Sequence, residues 1–173
     1  AAASGTEWNH VLHRAWTTAA ARDRDPDWIV ALAVAAAPGY PTDAARGPTS
    51  LVARIRPGDI DTVGVRFLAA QWSGGDVADR LGHAVHFPGP WGDALSVRVL
   101  RLVAQSVETA ELRRKTSTAS LRQIALRLHV PHLRAAADAL TKLAAADDAV
   151  HAILEPLIAT LVLRRTLVLE AAR

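Results

Sequence analysis

Three pairs of histidines are the residues of this sequence whose type and spacing could bind a metal ion. The members of each pair stand three positions apart: His10 with His13, His83 with His86, and His129 with His132. On a helix this spacing places two imidazoles on one face, where they can ligate zinc. Only the first pair lies well inside a predicted helix, and no pair has the glutamate of an H-E-x-x-H motif. We interpret the pairs as surface or helix-end histidines and predict neither a metal nor a cofactor.

The other catalytic patterns are weak or absent. Asp23, Asp25 and Asp27 alternate as at the start of a calcium loop, but Trp28 occupies the position that requires glycine. Capping of a helix is the better interpretation of these aspartates. The sequence contains no G-x-S-x-G elbow, no G-x-x-x-x-G-K-[ST] phosphate loop and no G-x-G-x-x-G turn. We predict that the chain is not an enzyme, with a helical hydrolase or metalloenzyme that uses the paired histidines as a lesser alternative.

A cluster of basic residues extends from residue 112 to residue 137 without one carboxylate. Its members are Arg113, Arg114, Lys115, Arg122, Arg127 and Arg134. A region of this kind attracts an acidic partner. We predict that these side chains form a partner-binding surface.

Residues 120–143 also resemble a DNA-binding helix-turn-helix. Ala125 occupies the position where two helices would approach closely, and the basic cluster surrounds it. Against this interpretation, His129 stands where the turn often has glycine, and the second helix is mostly alanine with few base-reading side chains. A structural helical hairpin is favoured, and nucleic-acid binding through this segment remains the alternative function.

Apolar residues at helical spacing predict helices along the whole chain, and no segment shows a convincing strand pattern. The predicted helices span 7–22, 28–37, 50–55, 60–72, 76–84, 93–110, 117–129, 131–145 and 147–171. The strongest loop is 87–93, where two prolines and two glycines stop a helix, and we expect Trp91 to fill the core from this loop. Pro156 falls inside the last helix and is expected to bend or divide it near Leu154.

The composition indicates one all-α domain over residues 1–173, either whole or part of a longer protein. Half of the 173 residues are apolar, and cysteine is absent, so the core must hold by packing alone. The most lipophilic stretch runs eight residues, far short of the ~20 that span a bilayer. We predict a cytoplasmic protein without a membrane segment, folded as an antiparallel helical array that is HEAT-like or α-solenoid-like.

Three segments carry a resemblance to a known family. They are 88–96, which reads P-G-P-W-G-D-A-L-S, then 125–131, which reads A-L-R-L-H-V-P, and the T-L-V-L-R-R stretch at 160–165. In this order they resemble an uncharacterised bacterial α-helical family whose genes lie beside those of MoxR-type AAA+ ATPases and von Willebrand factor A proteins. The resemblance covers about residues 59–170.

The resemblance implies an α-helical scaffold or adaptor that works with an AAA+ ATPase or a von Willebrand A protein. It transfers no catalytic residue. Together with the basic cluster, it favours a non-enzymatic helical-repeat protein that binds another protein.

Overall fold

The computed structural model describes residues 58–69, 77–85, 87–108 and 118–173, which fold into six α-helices and one short 3₁₀ turn. The elements are α1 (Ile60–Ala69), α2 (Val77–Ala84), α3 (Asp93–Glu108), α4 (Thr118–Arg127), the 3₁₀ turn η1 (Val130–His132), α5 (Leu133–Ala144) and α6 (Asp148–Ala171). No strand occurs in these residues, so the prediction of an all-α fold is confirmed. The helices predicted at 7–22, 28–37 and 50–55 lie outside the described residues.

The helix bounds follow the apolar rhythm and the helix-breaking residues. In α1 the predicted apolar positions Ile60, Val63, Phe67 and Leu68 are all buried. The helix α3 begins at Asp93, directly after the loop that contains Pro88 and Pro90 in the sequence. The main difference lies between α4 and α5, where the 3₁₀ turn η1, with Pro131 near its start, occupies the beginning of the predicted helix 131–145.

The described helices pack as two groups of three that share one hydrophobic core. The helix α3 packs against α1 and α2, α6 packs against α4 and α5, and α3 also contacts α5. Phe67, Phe87 and Trp91 are the largest side chains of this core. The prediction that Trp91 fills the core from its loop is confirmed, since only 1% of it is exposed.

Of the two effects predicted for Pro156, division of the last helix is wrong, and a bend near Leu154 stays a prediction. The helix α6 runs without a break through Pro156, which is itself buried with Leu154 and Leu157. Proline in a helix removes one backbone hydrogen bond. Packing of the surrounding apolar side chains compensates, because tertiary contacts supply most of the stability of helices in proteins.

The start of α6 is capped by an aspartate side chain. Asp147 is the N-cap residue, and its carboxylate accepts hydrogen bonds from the N–H groups of Ala149 and Val150. A short turn joins α5 to α6, and the two helices pack on each other as a hairpin.

None of the described helices is both long and apolar enough to cross a membrane. Helical repetition of the HEAT or solenoid kind stays a prediction.

Candidate functional site

The loop before α3, the end of α4 and the middle of α6 meet at one junction, which contains residues of all three segments quoted above. The backbone N–H of Trp91 donates to the carbonyl oxygen of Arg127 at 2.7 Å. The backbone N–H of His129 donates to the hydroxyl of Ser96 at 2.9 Å. These two bonds join the first helical group to the second.

The N-terminus of α3 is capped by a side chain from another helix. The carboxylate of Asp61, in α1, accepts hydrogen bonds from the N–H groups of Gly92 at 2.6 Å, Ala94 at 3.2 Å and Leu95 at 3.5 Å. The first N–H groups of a helix have no partner within the helix and favour a negative charge. A Cβ atom on Gly92 would lie 2.5 Å from an oxygen of Asp61, so a larger residue at this position would displace the capping carboxylate.

Three arginines satisfy carbonyl groups at or just beyond the C-terminal ends of helices. Arg98 donates to Leu68 O at 3.1 Å at the end of α1, and Arg127 donates to Val85 O just after α2. Arg164 donates to two carbonyl oxygens, in the last turn of α4 and just beyond it, at 3.0 and 2.5 Å. Burial lowers the pKa of Arg127 and that of Arg164 from the ordinary value for arginine. These side chains serve the fold, since the last carbonyl groups of a helix otherwise lack partners.

Two histidines and an aspartate lie together beside this junction. Asp93 is the first residue of α3, while His129 and His132 stand at the two ends of the turn between α4 and α5. One potential ligand atom from each residue lies within 4.8 Å of the other two. His132 Nε2 is 2.5 Å from Asp93 Oδ1, and the two imidazole centroids are 5.9 Å apart.

The structure gives the remaining histidines different surroundings. His83 is buried and packs edge-on against Phe67. His10, His13 and His86 lie outside the described residues. Sequence reasoning considered His129 with His132 but placed no carboxylate beside them, because Asp93 is 36 positions from His129 and was predicted only as a helix start.

The predicted partner-binding arginines are not equivalent. Arg122 is exposed on α4, whereas Arg134 lies 3.8 Å from Asp138 in an exposed ion pair of α5. Arg127 is half-buried, with its alkyl stem against Gly89 and its guanidinium on Val85 O. Arg113, Arg114 and Lys115 lie outside the described residues. Whether the set binds a partner stays a prediction.

In the structure, the segment that resembles a helix-turn-helix is a hairpin of α4 and α5 joined by η1. The buried face of α5 consists of leucine and alanine and belongs to the shared core. The exposed face of α5 carries the Arg134–Asp138 pair and Lys142, so its charges partly cancel. Nucleic-acid binding through 120–143 stays a prediction, with few exposed side chains on α5 that could read bases.

The C-terminal part of α6 exposes large apolar side chains that sequence reasoning did not single out. Five of them are exposed by 36–60%: Val162, Leu163, Leu167, Val168 and Leu169. The first part of α6 buries Leu154, Leu157 and Leu161 against the core. At 100° per residue, Leu163 and Leu167 face away from that buried stripe, Val162 and Leu169 lie to one side of it, and Val168 continues it. The sequence gives little signal for this end, because polar and apolar side chains are distributed around α6 without one dominant apolar face.

The fold and these contacts define an all-α protein in which side chains from other helices form hydrogen bonds with the helix ends. The chain belongs to the family of unknown function DUF5691, whose model matches residues 1–171. No curated protein and no solved structure matches the chain.

Proposed function

We propose that this protein is a non-enzymatic helical scaffold or adaptor, and that it binds a partner protein through the exposed end of α6. The observation that supports this most strongly is the group of five exposed apolar side chains at 162–169, which we call the α6 end surface. Contiguous apolar groups on a protein surface mark binding sites for other proteins. The core of such an interface is apolar and its rim is polar.

The pattern of the α6 end surface fits docking of a helix into a groove. Leu163 and Leu167 are one turn apart on one face, which is the spacing of anchor residues in helix-in-groove recognition, while Val162 and Leu169 are two turns apart on a neighbouring face. Arg165 and Arg173 add positive charge beside these anchors, and Glu170 partly offsets it. The expected partner is therefore a protein with an apolar groove that has an acidic rim.

The sequence resemblance names two classes of partner for this role. An AAA+ ATPase of the MoxR type, or a von Willebrand A protein, is the first partner to test. The basic residues Arg122 and Arg134 are then candidates for the rim of the interface, where charges act mainly on the association rate and on specificity.

A pair of charged substitutions tests the proposal. The variant Leu163→Glu/Leu167→Glu places two carboxylates on the α6 end surface, and burial of an unpaired charge in an interface is costly. Since hot-spot positions each contribute about 2 kcal/mol or more, we expect binding of the partner to weaken by at least about 100-fold. Isothermal titration calorimetry with the purified ATPase or von Willebrand A protein measures this loss.

The matched control is Ala135→Glu/Ala139→Glu. It places the same two charges, again four residues apart, on the exposed face of α5. This variant is expected to bind the partner like the wild-type chain. Equal affinity of the wild-type chain and the α6 variant would rule out the α6 end surface as the docking site.

A further inference from the structure

We infer that Asp93, His129 and His132 form a binding site for a divalent transition-metal ion, and that zinc is the ion that fits it best. The site depends on different residues from those of the α6 end surface. It combines two imidazoles with one carboxylate, all with a potential ligand atom within 4.8 Å of the others. Neither the histidine spacing nor the helix start at Asp93 reveals this combination by itself.

The backbone around the three side chains is held in place before any ion binds. His129 is fixed by the hydrogen bond from its N–H to the hydroxyl of Ser96, which is fully buried. The neighbouring bond from Trp91 N–H to Arg127 O holds the loop before α3 against the end of α4. Binding sites whose supporting residues are fixed lose less free energy to ordering when a ligand arrives.

The carboxylate of Asp93 is available because another residue caps α3. An aspartate at the start of a helix usually serves its own helix terminus. Here Asp61 accepts the hydrogen bonds of Gly92, Ala94 and Leu95 instead. The side chain of Asp93 faces His132 and remains 74% exposed.

A simple hydrogen bond between His132 and Asp93 does not account for His129. The Nδ1 atom of His129 is shielded from solvent and has no hydrogen-bond partner within the described part of the chain. Buried polar atoms without a partner are rare and destabilising. A nitrogen of a neutral imidazole is a good metal ligand. A bound ion would contact both imidazoles, whereas the hydrogen bond to Asp93 involves His132 alone.

The distances are close to those of a metal site but not equal to them. With bonds of about 2.0–2.1 Å, a tetrahedral zinc ion holds its ligand atoms roughly 3.4 Å apart and places two imidazole centroids about 5 Å apart. The observed separations are 2.5 Å between His132 Nε2 and Asp93 Oδ1 and 5.9 Å between the centroids. Binding therefore needs shifts of about 1 Å, of the exposed Asp93 side chain for the first separation and of the imidazole rings for the second.

The donor set selects the class of ion. Two imidazole nitrogens and one carboxylate oxygen suit zinc and its first-row neighbours, whereas calcium and magnesium prefer oxygen ligands alone. Three protein ligands leave at least one coordination position for solvent or a partner's side chain. Because the ligands come from α3 and from the turn before α5, a bound ion would also join the two helical groups.

Zinc titration of the chelator-treated protein tests the site, with a chromophoric zinc indicator as competitor. The wild-type chain is expected to bind one more zinc ion than Asp93→Asn/His129→Gln/His132→Gln. Each single substitution should weaken binding at least about tenfold. The matched control His151→Gln removes an exposed histidine of α6 and should leave this binding unchanged.

Two further readouts separate this site from other histidines of the chain. Cobalt should give the visible absorption of a low-coordinate ion in the wild-type protein and not in the triple variant. Zinc should raise the melting temperature of the wild-type chain only, since a ligand that binds the folded state stabilises it. Circular dichroism verifies folding, and if the triple variant unfolds, His132→Gln decides the question. Absence of zinc binding by the wild-type chain, or equal binding by the variants, overturns the inference.

Discussion

Removal of the Asp61 carboxylate should destabilise the protein far more than removal of an ordinary surface carboxylate. In Asp61→Ala the N–H of Gly92, partly buried and bonded at 2.6 Å, loses its partner. An unsatisfied buried N–H costs about 1–3 kcal/mol. The lost negative charge at the N-terminus of α3 adds about 0.3–1 kcal/mol.

We therefore expect Asp61→Ala to lower the free energy of unfolding by about 2–3 kcal/mol. For a chain of this length, that loss lowers the melting temperature by roughly 5–10 °C. Urea unfolding followed by circular dichroism measures the change directly. Asp61→Asn keeps one carbonyl oxygen as an acceptor and should lose about half as much.

The matched control is Asp138→Ala, which removes a carboxylate whose ion pair with Arg134 is exposed. Exposed pairs contribute at most about 1 kcal/mol. If Asp61→Ala and Asp138→Ala unfold at the same urea concentration, the capping contact does not stabilise the protein and the reasoning fails.

A second substitution isolates the contact itself. In Gly92→Ala the new Cβ would lie 2.5 Å from an oxygen of Asp61, so the capping carboxylate must shift. In the Asp61→Ala background, the same substitution displaces no carboxylate, because the carboxylate has been removed. The double-mutant cycle should show that Gly92→Ala is less destabilising when Asp61 is absent. Additive effects would mean that the two residues do not interact.

Two other contacts give predictions that urea unfolding can check. Gly64→Ala places a Cβ 2.9 Å from both terminal carbons of Leu95 and should cost about 1–3 kcal/mol by overpacking, whereas Gly58→Ala meets no atom within 4 Å and should be almost neutral. Arg164→Met keeps the apolar stem but leaves two carbonyl groups at the end of α4 without their donor, at a cost of about 1–3 kcal/mol. Arg122→Met, on the exposed face of α4, should stay within about 0.5 kcal/mol of wild type. Equal stability of the paired variants in either comparison would contradict the corresponding contact.

The sequence by itself determines the helices of the described region and the apolar stripes that they bury. A helix is specified by residues three and four positions apart and by breakers beside it, so α1, α3 and α6 could be predicted from local patterns. The buried position of Leu95 follows from the same patterns, whereas Trp91 lies in the loop before α3 and outside any helical rhythm. Pro156 shows the limit of local rules. The hydrogen bond that it removes can be predicted from the sequence, but the tertiary packing that keeps α6 continuous cannot.

Only the tertiary structure decides which polar groups meet. The cap on α3 joins residues 31–34 positions apart, and the arginine contacts at helix ends join residues 30–42 positions apart. The same holds for Asp93 and His132, which are 39 positions apart. Pairings over such distances leave no periodic signal, because they depend on how whole helices pack and on which N–H and C=O groups that packing leaves without a partner.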